Sequence, residues 1–370
     1  MNKIKISNFE LVLTTSGFVF GSGPLFIASG ITQIAGRDGW LSAIFATVIG
    51  LLTVWINTYL GGLYPDKTFI EVIDILLGKW LGTIISVLYS FITIVIGTQI
   101  VWYVGDLITT NYTPEISPYP INILFVASLV IALLYGLEAM CRAITVYFMI
   151  LFPLYITTLL MLIPNIKVDN ILPIFENGIS PVLKGTIPLL SLSVWPFIVL
   201  NMVFPSHLKD LKKAKHSILY GYLLGMFIAV IGVLMCILVL GETITSNSRY
   251  PLFVLSREVN VGTIFSRIEG IVIAVWLTTN FISTFFFIYM GIKGISQILK
   301  LSDYKKIVIP FGLIIAVYSQ FIYKNVPYQI RWDSETWPVL AFTAGVVFPV
   351  LLLLLFAIRK VMSRGKKGTT

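Results

Sequence analysis

The chain is poor in charge. Asp, Glu, Lys and Arg make up 12% of its 370 residues, about half the ~25% expected of a soluble domain. So few ionic groups cannot cover a water-facing surface, which excludes a soluble fold. Hydrophobic residues reach 57%, a composition suited to lipid. Cysteine is nearly absent, and Cys141 and Cys236 lie far apart. Two such thiols make neither a disulfide framework nor a metal centre. Histidine is as scarce, and neither His207 nor His216 has a second ligand at metal-binding spacing. Both read as solvated loop residues. No HExxH, phosphate loop or Ser-His-Asp set falls within an apolar stretch, so neither an enzyme nor a cofactor is indicated.

What is abundant is uninterrupted apolar sequence. About 17 to 25 residues cross a bilayer as a helix, and backbone in hydrocarbon must satisfy its own hydrogen bonds. Ten runs of that length lack Asp, Glu, Lys and Arg: 11–36, 39–65, 80–105, 116–137, 143–166, 185–208, 217–241, 270–292, 307–323 and 336–358. The expectation is an all-α integral membrane protein of ten transmembrane helices, the ninth being the shortest run. Lys3 and Lys5 precede the first run and Glu10 interrupts its start. That run is longer than a signal-peptide core, which predicts a retained first helix.

Net charge is +9. The basic residues sit between the runs, so the surplus reports topology and contact with anionic lipid, not nucleic acid. With the N-terminus inside, 18 basic residues fall on the cytoplasmic side. Eight fall outside: Arg37, Lys167, Lys184, Arg249, Arg257, Arg267, Lys324 and Arg331. The imbalance predicts cytoplasmic termini. Composition does not shift along the chain, so one transmembrane domain over 1–370 is expected. Its halves are 1–166 and 185–360, joined by an outer segment, 167–184. A second long outer segment is 242–269.

Two runs carry helix breakers near their middles. The first holds Phe20-Gly21-Ser22-Gly23-Pro24, and the sixth holds Ser191-Leu192-Ser193-Val194-Trp195-Pro196, flanked by Pro188 and Pro205. Glycine costs roughly 1 kcal/mol against alanine within a helix, and proline about 3 kcal/mol. The two runs open two five-helix halves, and an odd number gives the second half inverted topology. Broken helices at matching positions of inverted halves point to a transporter-type binding site. Exposed amides and half-helix N-termini there suit a carboxylate. Close helix packing is the alternative use of such small residues.

Polar side chains on other runs are candidates to complete the site. Gln99 and Tyr103 lie one turn apart on the third run, with Asp106 a turn further. The eighth run carries Thr278, Thr279, Asn280, Ser283 and Thr284, and the sixth adds Ser191, Ser193 and Asn201. Each could equally bond a neighbouring helix. Thr278, Thr279, Ser283 and Thr284 also form a candidate sodium site. No charge lies deep within a run, which argues against a voltage sensor and a buried proton relay. Glu138 and Arg142, spaced i, i+4, read as a local salt bridge.

Gly21-Ser22-Gly23 resembles the glycine motif of the amino acid–polyamine–organocation transporters. The closer resemblance is to the B subunit of spore germinant receptors, the spore permease family of that superfamily. The residues that carry it are Asp38-Gly39-Trp40, Tyr64-Pro65, Leu77-Gly78-Lys79-Trp80-Leu81-Gly82, Gly136-Leu137-Glu138 with Arg142, and Asn170-Ile171-Leu172-Pro173 before Gly178 and Pro181. The resemblance implies a LeuT/APC-like 5+5 inverted repeat with helices 1 and 6 broken. It implies a nutrient sensor in the spore inner membrane, working with A and C subunits to trigger germination. An amino acid would lie between helices 1 and 6, with helices 3 and 8 closing the pocket. The pocket residues are then Phe20, Gly21, Ser22, Gly23, Gln99, Tyr103, Ser191, Ser193, Trp195, Asn280 and Thr284. Two features depart from the wider superfamily. Pro24 stands where an isoleucine is usual, and run 143–166 lacks the lysine of proton-coupled relatives. The second departure favours a receptor over a cation-coupled amino acid permease.

Overall fold

Helix boundaries follow capping chemistry. Ser7 accepts from the Glu10 amide at 3.2 Å while Glu10 accepts from the Ser7 amide at 2.7 Å. This reciprocal box satisfies two of the amides left open at a helix start, so Glu10 begins the first helix rather than disturbing it. Thr68 and Glu71 repeat the device at the start of a short amphipathic helix. That helix buries Phe69, Ile70, Val72, Ile73 and Leu76.

The computed structural model of the protein describes residues 6–21, 23–204, 208, 211–259 and 269–367. Lys3, Lys5, Ser22, Pro205, His207, Lys209 and Arg267 of the foregoing reading lie outside them. The described α-helices are α1 (Asn8–Phe20), α2 (Pro24–Ala35), α3 (Gly39–Gly62), α4 (Phe69–Leu77), α5 (Lys79–Asn111), α6 (Pro118–Tyr135) and α7 (Leu137–Met161). There follow α8 (Ile179–Lys184), α9 (Thr186–Leu189), α10 (Leu211–Asn247), α11 (Pro251–Arg257) and α12 (Glu269–Ile298). Last come α13 (Val308–Tyr318), α14 (Val326–Arg331), α15 (Trp337–Phe342) and α16 (Phe348–Lys367). Among the described residues no strand forms; a lone bridge pairs Ile6 with Leu208.

Among the described residues, eight helical stretches are long and apolar enough to cross a membrane: Phe26–Leu63, Lys79–Asn111, Pro118–Tyr135, Leu137–Asn165, Ile179–Met202, Lys213–Asn247, Glu269–Ile298 and Val326–Met362. Eight of the ten expected runs fall on them. Run 11–36 is divided between α1 and α2, neither long enough alone. Run 307–323 forms only the 11-residue α13, roughly 16 Å of helix against ~30 Å of hydrocarbon.

Two pairings dominate the packing: α1 lies along α10, and α5 lies along α12. Against these, α7 touches both α1 and α12. Large apolar side chains, including Leu52, Phe91, Leu124 and Leu313, are exposed, as a lipid-facing surface requires. Cys141 and Cys236 are buried free thiols, and Glu138 pairs with Arg142.

Segment 167–184 is tied to the fold at several points. Asp38, only 3% exposed, accepts from the Phe175 amide at 3.1 and 3.0 Å. Arg37 donates to the Leu172 carbonyl and lies 3.6 Å from both Glu176 and Glu242. Asn170 donates to the Leu238 carbonyl at 2.9 Å, just before α10 kinks at Gly241.

Candidate functional site

The first helix does break at its glycines. Gly21 has φ 44° and ψ −141°. A Cβ there would lie 2.6 Å from the Phe18 carbonyl oxygen and 2.9 Å from Ser283 Oγ, so both conformation and space demand glycine. The Gly21 amide donates to the Gly17 carbonyl at 2.9 Å, and α1 ends. Gly23 resumes the helix with φ −66° and ψ −38°, and proline at the first position of α2 loses nothing because that amide has no intrahelical acceptor. Ser22, the residue between, lies outside the described residues.

The sixth helix behaves differently. It is helical throughout, but its hydrogen-bond register changes from α9 to a π-turn over Leu190–Val194 and then a 3-10 segment over Trp195–Met202. Pro196 lacks a donor, and its ring crowds the carbonyl one turn earlier. Widening the preceding turn relieves that clash. The expected break is therefore a distortion, not an unwinding.

Helices 1, 6 and 8 converge at the break. Gly23 is buried, and a Cβ on it would come 3.6 Å from Ser193 Oγ. Ser283 on α12 faces Gly21, is 2% exposed, and its hydroxyl has no hydrogen-bond partner. Asn280, one turn earlier and fully buried, donates to the Trp276 carbonyl at 2.8 Å, which leaves its carbonyl oxygen unpaired. A buried polar group without a partner costs about 1–3 kcal/mol. The Ser283 hydroxyl, unpaired beside the opened backbone at Gly21, is free to meet another polar group there.

The remaining candidates divide. Thr278, Thr279 and Thr284 each donate to a carbonyl of their own helix, at 2.8, 3.0 and 2.7 Å; Ser191 does likewise at 3.0 Å. Gln99 is buried with no hydrogen bond among the described residues. Phe20 packs edge-on against Tyr155, with centroids 5.8 Å apart. With Thr278 and Thr279 it lines an apolar cavity of about 30 Å³ between α7, α10 and α12. Ser283 and Thr284 are not in that lining. Trp195 packs on Phe342, 5.1 Å between centroids, and lines a second cavity of about 30 Å³ with Tyr89, Phe287 and Trp337.

Tyr103 leads to residues that the sequence reading missed. Its ring stacks on Phe26 of α2, 5.5 Å away at 22°, and its hydroxyl donates to Asp333. Counting charge-free runs places Asp333 outside the tenth run, which begins only after Glu335. The structure puts it in the continuous stretch Val326–Met362. A carboxylate therefore does reach a candidate pocket residue. Gln329 and Asp333, four apart and ahead of an apolar run, were the available signal. Asn57, also missed, links helix 6 to the last helix. Asn201 donates to the Asn57 carbonyl at 3.0 Å, and Asn57 donates to the Gly345 carbonyl at 3.0 Å. Tyr89 donates to the neighbouring Ala344 carbonyl at 2.6 Å. Both acceptors lie in a π-turn over Thr343–Val347, where widened geometry frees carbonyls for side chains.

An all-helical membrane body with a broken first helix is the fold of known transporters. A nucleobase–cation symport-1 family transporter, solved closed with bromovinylhydantoin bound, superimposes with a TM-score of 0.67 at 12% identity. The match covers 95% of this chain and 78% of that one. A manganese transporter of Eremococcus coleocola gives 0.57 at 12% identity, covering 95% and 79%. These likenesses define the class by fold, a LeuT-like transporter fold. The family model described as spore germination protein matches residues 5–327, and the chain belongs to that spore permease family. It is 25% identical to spore germination protein KB of Bacillus subtilis (strain 168), over 100% of this chain and 99% of the relative. It is 24% identical to spore germination protein YndE of the same organism, over 98% of each.

Proposed function

We propose that this chain is the nutrient-sensing B subunit of a spore germinant receptor, which binds an amino acid in a transporter-like pocket to trigger germination. The observation that carries the reading is the juxtaposition of the Gly21 break with the unpaired, buried Ser283 hydroxyl. The ligand carboxylate takes the Ser22 and Gly23 amides ahead of α2, where the helix dipole favours an anion. The Gly21 amide is already committed to Gly17. Ser193, Ser283, Asn280 and Gln99 surround the ligand's polar groups, with Phe20, Tyr103, Ser191, Trp195 and Thr284 as the wider wall. Ligand binding shifts the equilibrium between open and occluded forms, and A and C subunits respond to it.

In this reading the chain is one domain of ten spans in the spore inner membrane. Helices 1 to 5 (1–166) and 6 to 10 (185–360) form inverted halves joined by 167–184, and both termini are cytoplasmic. Reporters fused after residue 370 and within 242–269 are expected on opposite sides, and identical sidedness rejects the topology. A cation-coupled amino acid permease is the second reading, and the contact of Asp333 with Tyr103 favours it. Purified protein in liposomes with an imposed pH gradient and labelled amino acids separates the two. Saturable binding without accumulation is expected. Uphill accumulation that a protonophore collapses selects the permease.

A further inference from the structure

A polar cluster joins four segments at the Asn111 end of α5. The half-buried Asp333 accepts from the Tyr103 hydroxyl and the Gln329 amide, and lies 3.5 Å from the Tyr323 hydroxyl. Tyr103, Tyr323 and Gln329 are all buried. The Tyr103 hydroxyl is also 3.4 Å from that of Tyr323 and 3.3 Å from the Gln329 amide nitrogen. Gln329 accepts from Arg249 at 3.5 Å. Arg249 pairs with Asp106 at 2.7 Å, and Tyr250 donates to Asp106 at 2.5 Å. Burial, and then the Asp106 carboxylate, hold the Tyr250 phenol protonated well above its usual range, so it remains a donor.

Among these bonds, those to Asp333 bear on the candidate pocket. Tyr103 connects it to Phe26, and the Phe26 amide donates to the Gly23 carbonyl at 3.1 Å. One chain of contacts thus runs from the helix 1 break to the last helix. Donors that meet a carboxylate form bonds roughly twice as strong as neutral pairs, so the charge of Asp333 sets the strength of the connection.

We propose that Asp333 is the positioning residue that locks this end of the pocket, holding Tyr103 over the second half of helix 1. The lock rests on the proposed pocket, and on the proposed topology it closes the outer mouth. While it is made, Tyr103 and Phe26 cover Gly23 and Ser193. Removing the charge lets Tyr103 leave Phe26 and admits solutes from that side.

The test uses full-length protein in sealed vesicles of known orientation, carrying Ser193→Cys. Cys141 and Cys236 are retained, and their labelling is subtracted using the parent chain. A membrane-impermeant methanethiosulfonate is added from the outer side and the rate of modification is followed. Asp333→Asn is expected to raise that rate about tenfold, the effect of weakening one charge-assisted hydrogen bond. Tyr103→Phe is expected to match it, Tyr323→Phe to raise it two- to threefold, and Glu335→Gln to leave it unchanged. Parental rates in Asp333→Asn and Tyr103→Phe overturn the lock, as does an equal rise in Glu335→Gln. Should Asp333→Asn fail to fold, Tyr103→Phe and Tyr323→Phe decide alone. The readout needs no nutrient, so a raised rate in a protein that binds no amino acid supports the lock while rejecting the receptor reading.

Discussion

Helix 1 and helix 6 both depart from regular α-helix, by different means. Helix 1 leaves helical geometry at Gly21 and re-enters at Gly23, a local solution written in glycines. Helix 6 stays wound and passes from α to π to 3-10 geometry, tied through its own Asn201 to the Asn57 carbonyl, while Asn57 in turn bonds the last helix. The contrast teaches that a break can be stored in a few residues or distributed over their neighbours. It also predicts where substitutions act.

The largest effect is expected where helix 6 depends on its neighbour. A Cβ on Gly345 would lie 1.8 Å from the Trp195 carbonyl oxygen. Gly345→Ala must push two backbones apart, which costs at least about 3 kcal/mol and is expected to lower the denaturation midpoint of purified protein steeply. An unchanged midpoint would show that helix 6 carries its own shape. Gly21→Ala comes next, because its left-handed backbone disfavours a side chain by about 1–2 kcal/mol. Gly23→Ala should be nearly neutral for stability, since the nearest atom is the flexible Ile27 methyl at 2.8 Å. Gly23→Leu is expected to insert normally and abolish the nutrient response. A normal response at normal abundance would remove the pocket from helix 1. Asn201→Ala loses one interhelical bond, worth about 0.6 to 1.7 kcal/mol, and should loosen helix 6 without touching helix 1. The smallest effect on stability is expected for Ser283→Ala, which deletes an unpaired hydroxyl. Thermal melts should match the parent while nutrient sensitivity falls, and a parental dose–response would show the hydroxyl to be idle.

The sequence was most legible where physics is local. Apolar run length located eight of the membrane stretches, and the glycines located the break that Gly21 makes. The π-turns were not legible: the one over Thr343–Val347 meets Asn57 and Tyr89 from other helices, and the one over Leu190–Val194 answers to Pro196 in its own helix. Charge-free runs hid Asp333, since a carboxylate at a helix end looks like loop when its partner, Tyr103, is 230 positions away. The polar residues of α12 are candidates for a ligand or for a neighbouring helix alike on sequence alone. Its threonines are mostly occupied by their own helix, and only Ser283 and the Asn280 carbonyl oxygen stay unpaired.

The bonds around segment 167–184 have a consequence for how the chain could be assembled. Its single covalent link between halves is backed by Asp38 on Phe175, Arg37 on Leu172 and Asn170 on Leu238. The Lys167 amide adds a bond to the Leu238 carbonyl at 3.0 Å. A nick just after Glu176 leaves segment 167–176 anchored to the first piece by Asp38 and Arg37, and bonded to Leu238 of the second piece through Asn170 and the Lys167 amide. Two separately translated pieces, ending and beginning there, should therefore find each other in the bilayer and purify together. For such a protein the peptide bond at the junction is a convenience of synthesis more than a strut.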